Sequence, residues 1–470
     1  MSLTKVTNSM IVGAPINVLD YGANPNGVDS YAAIQAAITA ANGVSPVYFP
    51  PGNYVSSQPL VLRQGQSIVG SNQTPIDWRR SAASICTITF TSTTAATVGF
   101  TLNQSDIFSG YVWNVAIKNI NIVGVNTTNS IGLNFVNPAF AQLENVGVSK
   151  FAIGLLINYG MLCTYNNLNL SGCTLSSLYI SGVSGTTTTQ IFKNCVFRES
   201  PWGVIIESSA NGNSFGTSFL SCTVESTSIG GINVHKSCGA FFHDTYMENV
   251  PGILFKLHIE GIPAAINYAD VVIEGGDMSG LNGGLSTTAV DIGFCRQVTI
   301  IGALFQRSTN GIKCSTTDTP DNSVYVFSPE FVSITNLFVN NKNKVNGLYA
   351  NNVATGGRSA FNYSSYYYAR RSGGGTDMFV ATADSVAQGI EMGIDNTSQT
   401  GAITATHSSG GSSPLSLKVT LSGSEYEAVR VTAAGDLSVL LSGHGLTLKS
   451  PNGLVTKTVT IDNSGAIALI

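Results

Sequence analysis

The sequence predicts an all-β protein. Its main body is a parallel β-helix, a solenoid of short stacked strands, with an N-terminal capping helix and a C-terminal antiparallel β module. Three observations carry this. A short motif recurs through the middle of the chain. Charged residues make up only 10% of the 470 positions, against roughly 25% in ordinary soluble domains. Gly is abundant at 50, while the hydrophobic fraction stays at an ordinary 43%.

The same numbers exclude other classes. A disordered chain would be rich in charge and poor in Val, Ile and Phe. Gly shows no three-residue period, so collagen is out. A net charge of −4 with no Lys/Arg cluster argues against nucleic acid or an anionic membrane as partner. No apolar run approaches the roughly 18 residues that span a bilayer. MSLTKVTNSM carries no apolar signal-peptide core, which predicts synthesis in a cytoplasm without a signal peptide. The eight Cys are scattered, from Cys86 to Cys314, with no C-x-x-C pair. They read as reduced and buried, in neither a disulfide framework nor a metal site. The five His include no H-E-x-x-H, and neither metal nor cofactor is expected.

Taken in order, the first element is a helix. Residues 31–41, YAAIQAAITAA, are Ala-rich and amphipathic, with Asp29 or Ser30 as N-cap. Such a helix suits the open first coil of a solenoid. The repeat follows: KNINI (118–122), ENVGV (144–148), NNLNL (166–170), KNCVF (193–197), LSCTV (220–224), FHDTY (242–246), EGGDM (274–278), IIGAL (300–304) and TNLFV (335–339). A second segment, usually Gly–apolar–x–apolar, comes next, as in GLLI (154–157), GVII (203–206) and GINV (231–234). A third run often precedes the next repeat, as in FFH (241–243), DVVI (270–273) and QVTI (297–300). Three short strands per unit of variable length fit one coil, with equivalent strands stacking about 4.8 Å apart.

Stacking turns the repeats into columns. Asn119, Asn145, Asn167, Asn194 and Asn336 are expected in one register at a tight turn, where Asn tolerates the left-handed conformation and its amide bonds to a stacked neighbour. The adjoining inward column reads Ile120, Val146, Leu168, Cys195, Cys222 and then Asp244. Low charge fits, because stacked like charges repel on every coil. From Gly356 the composition changes. Residues 356–375 read as an aromatic and basic linker, whose Tyr363, Tyr366, Tyr367 and Tyr368 suit an interface between copies. Residues 376–444 alternate like short antiparallel strands in a β-sandwich-like module.

A family resemblance joins these features. INVLDYGANPNGVDSYAAIQAAITAA (16–41) and VYFPPGNYVSSQPLVL (47–62) resemble the opening of the pectate-lyase-like right-handed β-helix superfamily. Asp20, Tyr21, Gly22, Ala23, Asp29, Pro51, Gly52 and Tyr54 carry it. MSLTKVTNSMI resembles the junction segment of bacteriophage tailspikes and capsular polysaccharide depolymerases, here residues 1–15. GLTLKSPNGLVTKTVTIDNSGAIALI (445–470) resembles the tip that closes tailspike trimers. The resemblance implies a right-handed helix over 16–355, a homotrimer made in the bacterial host cytoplasm, and a place on the virion tail beside other phage tail proteins. It further implies binding and cleavage of a bacterial surface polysaccharide, capsule or O-antigen. The usual large N-terminal docking domain has no counterpart, which implies docking through another protein or a shortened chain.

Glycoside hydrolysis commonly uses two carboxyls, roughly 5–5.5 Å apart for retention and roughly 6.5–9.5 Å for inversion. Acids concentrate on the coils from 193 to 277. Aligning FRES (197–200) with YMEN (246–249) predicts Glu199 and Glu248 in one column two coils apart, with Glu225 between them and one position earlier. Asp244 is predicted to interrupt the core column, with His243 replacing Asn in the ladder. Glu225, Asp244, Glu248 and Glu199 are therefore the candidate catalytic acids. One carboxyl, its pKa raised by partial burial, would protonate the leaving oxygen and another would activate water. Glu207, His235 and Lys256 are predicted to share an outward column, with Glu260, Asp270, Glu274 and Asp277 following. Arg198, Trp202, Glu207, His235, His243, Tyr246, Lys256 and Asp277 are the candidate substrate-binding residues. Two alternatives stay open: a polysaccharide lyase using His235, His243, Lys256, Tyr246 or Arg198 on a uronic acid, and a receptor-binding adhesin with no catalysis.

Overall fold

In a computed structural model, the chain forms two compact units, residues 1–356 and 357–470. The structure describes residues 14–72, 85–93, 97–182, 185–208, 214–235, 238–258, 270–293, 297–314, 323–327, 329–339 and 345–347, and the backbone of further strands up to residue 469. The junction segment before residue 14, Glu260, Tyr363 and Tyr366 lie outside these residues.

Among the described residues, the first unit holds one α-helix, α1 (Tyr31–Ala41), and a 35-stranded sheet system in which the strands pair with equivalents one coil away. All its paired strands from Ile16 to Asn352 are parallel. This is the right-handed parallel β-helix the sequence predicts. Each coil contributes to three stacks. In the coils of the site, stack A contains Asn169–Ser171, Val196–Arg198, Thr223–Glu225, Tyr246–Glu248 and Asp277–Ser279. Stack B contains Ser176–Gly182, Trp202–Ser208, Gly230–His235 and Ile253–His258. Stack C contains Thr187–Lys193, Ser214–Leu220, Cys238–His243 and Asp270–Glu274.

Alternation packs the interior. Stack A points Leu170, Phe197, Val224, Met247, Met278 and Phe305 inward, each fully or almost fully buried. Stack C contributes Tyr165, Phe192, Phe219 and Phe242, whose rings stack at centroid distances of 4.5, 5.0 and 4.9 Å. The second segment of the repeat begins with Gly because no side chain fits there. A Cβ on Gly231 would lie 2.6 Å from the Leu254 carbonyl oxygen. Cys86, Cys163, Cys173, Cys195, Cys222 and Cys238 are free and buried.

The bends between stacks are single left-handed residues. From stack C to stack A they are Asn119, Asn145, Asn167, Asn194, Ser221, Asp244, Gly275 and Gly302, with φ between 49 and 63°. Asn145 Nδ2 donates to Asn119 Oδ1 at 2.9 Å and Asn167 Nδ2 to Asn145 Oδ1 at 2.7 Å, which builds the expected ladder. Asn336 is not a rung. It lies in stack B, in register with Asn310, and donates to that side chain at 3.1 Å. The segment TNLFV therefore belongs to stack B, and the stack A position of that coil is Phe331. Two other motifs shift by one residue: Met247 and Phe305, not Tyr246 and Leu304, take the inward position.

At the N-terminal end, α1 buries Ile34, Ala37, Ile38 and Ala41. Ser30 is the N-cap residue, but Asp29 does the capping, accepting the Tyr31 amide at 3.2 Å. The second unit holds antiparallel sheets of four, three and three strands. Its first strand, Tyr367–Arg370, lies inside the segment read as a linker and pairs with Thr376–Val380.

Candidate active site on stack A

The outward side of stack A carries an acidic cluster. Phe197, Val224 and Met247 align as one column, so the next residues, Arg198, Glu225 and Glu248, align too. Adjacent strands in such a stack are about 4.8 Å apart. The adjoining outward column runs Thr223, Tyr246, Asp277 and Leu304. Arg198, Glu225, Tyr246, Glu248 and Asp277 are thus neighbours on one face.

Their contacts form a chain along the face. Arg198 Nη1 lies 3.0 Å from Glu225 Oε1, with the two side chains only 15% and 28% exposed. Partial burial makes this pair stronger and less screened than one in open solvent. The Tyr246 hydroxyl donates to Glu248 Oε2 at 2.9 Å. That bond, reinforced by burial and by the charges of Glu248, Asp277 and Glu225, raises the Tyr246 pKa, so the phenol remains a donor. Gln306 Nε2 donates to Asp277 Oδ1 at 2.6 Å.

Two expected catalytic residues are elsewhere. Glu199 does not share a column with Glu248. It occupies the left-handed bend from stack A to stack B, with φ 54°, above Ser226 and Asn249 in the same conformation. Its amide donates to the Glu225 carbonyl oxygen at 3.3 Å. FRES aligns with VEST (224–227) and MENV (247–250), which puts Glu199 one position beyond Glu225 and Glu248. Asp244 does not enter the core. It takes the ladder bend, and Thr245 fills the core column at 2% exposure. His243 is the last residue of its stack C strand, in register with Glu274. Its Nε2 lies 3.2 Å from Asp244 Oδ2 and its Nδ1 3.4 Å from Glu274 Oε2.

Stack B holds the remaining candidates on another face. Glu207 and His235 are in register, but the next residue in their column is His258. Lys256 aligns instead with Asn233 and Asp291. The expected Glu207–His235–Lys256 column is therefore broken, because the strand lies two residues out of the assumed register. Trp202 starts its strand with its ring over Gly230, where a Cβ would approach Trp202 Cζ3 to 2.3 Å. Sequence reasoning missed Tyr179 and Gln306. Tyr179 donates its hydroxyl to Glu207, and burial, then this bond, pushes its pKa up. Gln306 was readable by carrying the column through Met278 and Phe305. Among the described residues, no group of three or more His, Cys, Asp or Glu is arranged to hold a metal ion, and no helix is long and apolar enough to cross a membrane.

The face thus presents two aligned carboxyls, a cation and a phenolic donor. Residues 15–233 match the family model of rhamnogalacturonase A/epimerase, pectate lyase-like. This segment is similar to that family, and its strands form a parallel β-helix. Similar solved structures agree with that fold. The A-module of mannuronan C-5 epimerase AlgE6 from Azotobacter vinelandii is 16% identical, with a TM-score of 0.54, over 72% of this chain and 99% of that one. The gp42 tailspike of Acinetobacter phage vb_AbaP_AS12 is 13% identical, with a TM-score of 0.51, over 86% of this chain and 82% of that one. No curated protein matches the chain by sequence.

Proposed function

We propose that this protein is a homotrimeric phage tailspike that binds a bacterial surface polysaccharide and cleaves it by endo-glycosidic hydrolysis. In this reading it sits on the virion tail with other tail proteins. The observation that carries the enzymatic part is the alignment of Glu225 and Glu248 on adjacent coils. A strand spacing of about 4.8 Å matches the roughly 5–5.5 Å of a retaining pair better than the wider inverting gap.

The partners of the two acids support a division of roles. Arg198 gives Glu225 a cation at 3.0 Å, which suits the carboxylate that attacks the anomeric carbon. Glu248 then delivers the proton to the leaving oxygen, and later takes one from water. Tyr246, bonded to Glu248 and in register with Asp277, would position Glu248 and, with Asp277, the sugar hydroxyls.

The test is digestion of the capsule or O-antigen of a strain to which the protein attaches. New reducing ends without unsaturation are expected, and Glu225→Gln and Glu248→Gln should each lose at least a hundredfold in rate. Absorbance from an unsaturated uronic acid would replace hydrolysis by elimination. Full cleavage by both variants would remove these acids from the reaction.

A further inference from the structure

A cavity of about 450 Å³ opens at the bends between stack A and stack B, on the coils before the acids. Its mouth is lined by Thr127, Thr128, Asn129 and Thr174, and its walls include Ile131 and Leu175. None of its nine lining residues is charged. The backbone holds the shape. Thr174 Oγ1 donates to the Thr127 carbonyl oxygen at 2.5 Å, the Thr128 amide to Asn126 Oδ1 at 2.9 Å, and the Leu175 amide to the Ala152 carbonyl oxygen at 2.9 Å.

Hydroxyl and carboxamide groups over aliphatic walls suit a ligand with many hydroxyls and apolar C–H faces. The uncharged lining offers nothing to offset the desolvation of a carboxylate or sulfate. Location adds a second argument. The Trp202 amide donates to the Leu175 carbonyl oxygen at 3.3 Å, and the Ile229 amide to that of Pro201 at 2.9 Å. Leu175 is 45% and Ile229 52% exposed. The edge that begins at the cavity therefore continues through Leu175, Trp202 and Ile229 beside Arg198, Glu225 and Glu248. From the Thr174 bend to the two acids is two to three coils, about 10–14 Å.

We infer that this cavity is a binding subsite for an uncharged sugar residue, a neutral hexose or an N-acetylhexosamine, two to three coils from the acids. That it serves a chain cleaved at Glu225 and Glu248 rests on the function proposed above. The sugar specificity does not. Saturation-transfer NMR on the whole protein tests it, with glucose, galactose, rhamnose, N-acetylglucosamine and glucuronic acid as probes. At least one neutral sugar should give a signal that Thr128→Trp, which fills the cavity, reduces at least tenfold. Leu175→Ala, a milder change, should weaken the same signal while the melting temperature stays near that of the parent. Glucuronic acid should give no signal sensitive to either variant. A response only to glucuronic acid, or neutral-sugar signals unaffected by both variants, would overturn the subsite whether or not the polymer is cleaved. Failure of Glu225→Gln and Glu248→Gln to slow cleavage would remove these acids from the reaction and leave the subsite standing.

Discussion

Single residues decide where chemistry can sit on this solenoid. Asp244 is a bend residue because a short polar side chain tolerates the left-handed conformation, as Asn does. Its carboxylate lies over the next coil, where a Cβ on Gly275 would come within 2.4 Å of Asp244 Oδ1. Tyr246 is different: its ring is 40% exposed and its hydroxyl is committed to Glu248. A hydrogen bond to a charged group contributes about 1.5–3 kcal/mol, or about ten- to a hundredfold in rate if it is needed in the transition state. Tyr246→Phe keeps the ring and removes the donor. It should lower kcat by that factor with the melting temperature unchanged, measured on the polymer that the parent cleaves. An unchanged kcat would leave Tyr246 a surface residue.

Elements show what the sequence could reveal and what it could not. The start of α1 was legible because Asp and Ser before an Ala-rich run state a helix start, and α1 spans the expected residues. Asp29 also binds the first coils together, accepting the Ser57 hydroxyl at 2.7 Å and the Ser57 amide at 3.1 Å. These bonds, led by the Ser57 hydroxyl, lower its pKa below 3.8. The carboxylate is therefore the favoured partner in the folded state, and its contribution is present above the unfolded pKa and lost as pH falls through the lowered folded value. Asp29→Ala should cost about 1 kcal/mol at neutral pH. Denaturation at a series of pH values should show the gap to the parent closing only below about pH 4. A gap independent of pH would mean that the charge is irrelevant. The coils were legible for the same kind of reason. Asn119, Asn145, Asn167 and Asn194 announce the bend by residue type. Ser221, Asp244 and Gly275 fill it without announcing it, so the register drifts by one after Cys222. That drift misplaced Glu199, Asp244 and His243. It also put Glu225 one position before Glu248 and Tyr246 at the inward position, whereas Val224 and Met247 align, so the two acids share a column and Tyr246 faces outward.

At the scale of the molecule, scarcity of charge becomes the constraint on assembly. A chain with 10% charged residues and a net charge of −4 has little long-range attraction with which to hold copies together. A trimer of such chains has to bury apolar and uncharged polar surface, which salt does not screen. Strands pair with their equivalents one coil away, from Ile16 with Val47 to Glu330 with Asn351, and the proposed trimer of such stacks is expected to unfold slowly. The proposed trimer should therefore keep its mass by light scattering between about 0.1 and 1 M salt, where the Debye length falls from about 10 to 3 Å. In SDS without heating it should run at three times the 49.1 kDa chain mass, and boiling should convert it to monomer. A monomer mass at every salt concentration, with only a monomer band before boiling, would refute the trimer. The acids on stack A would then have to act within one copy, with Glu225 and Glu248 already aligned there by neighbouring coils of a single chain.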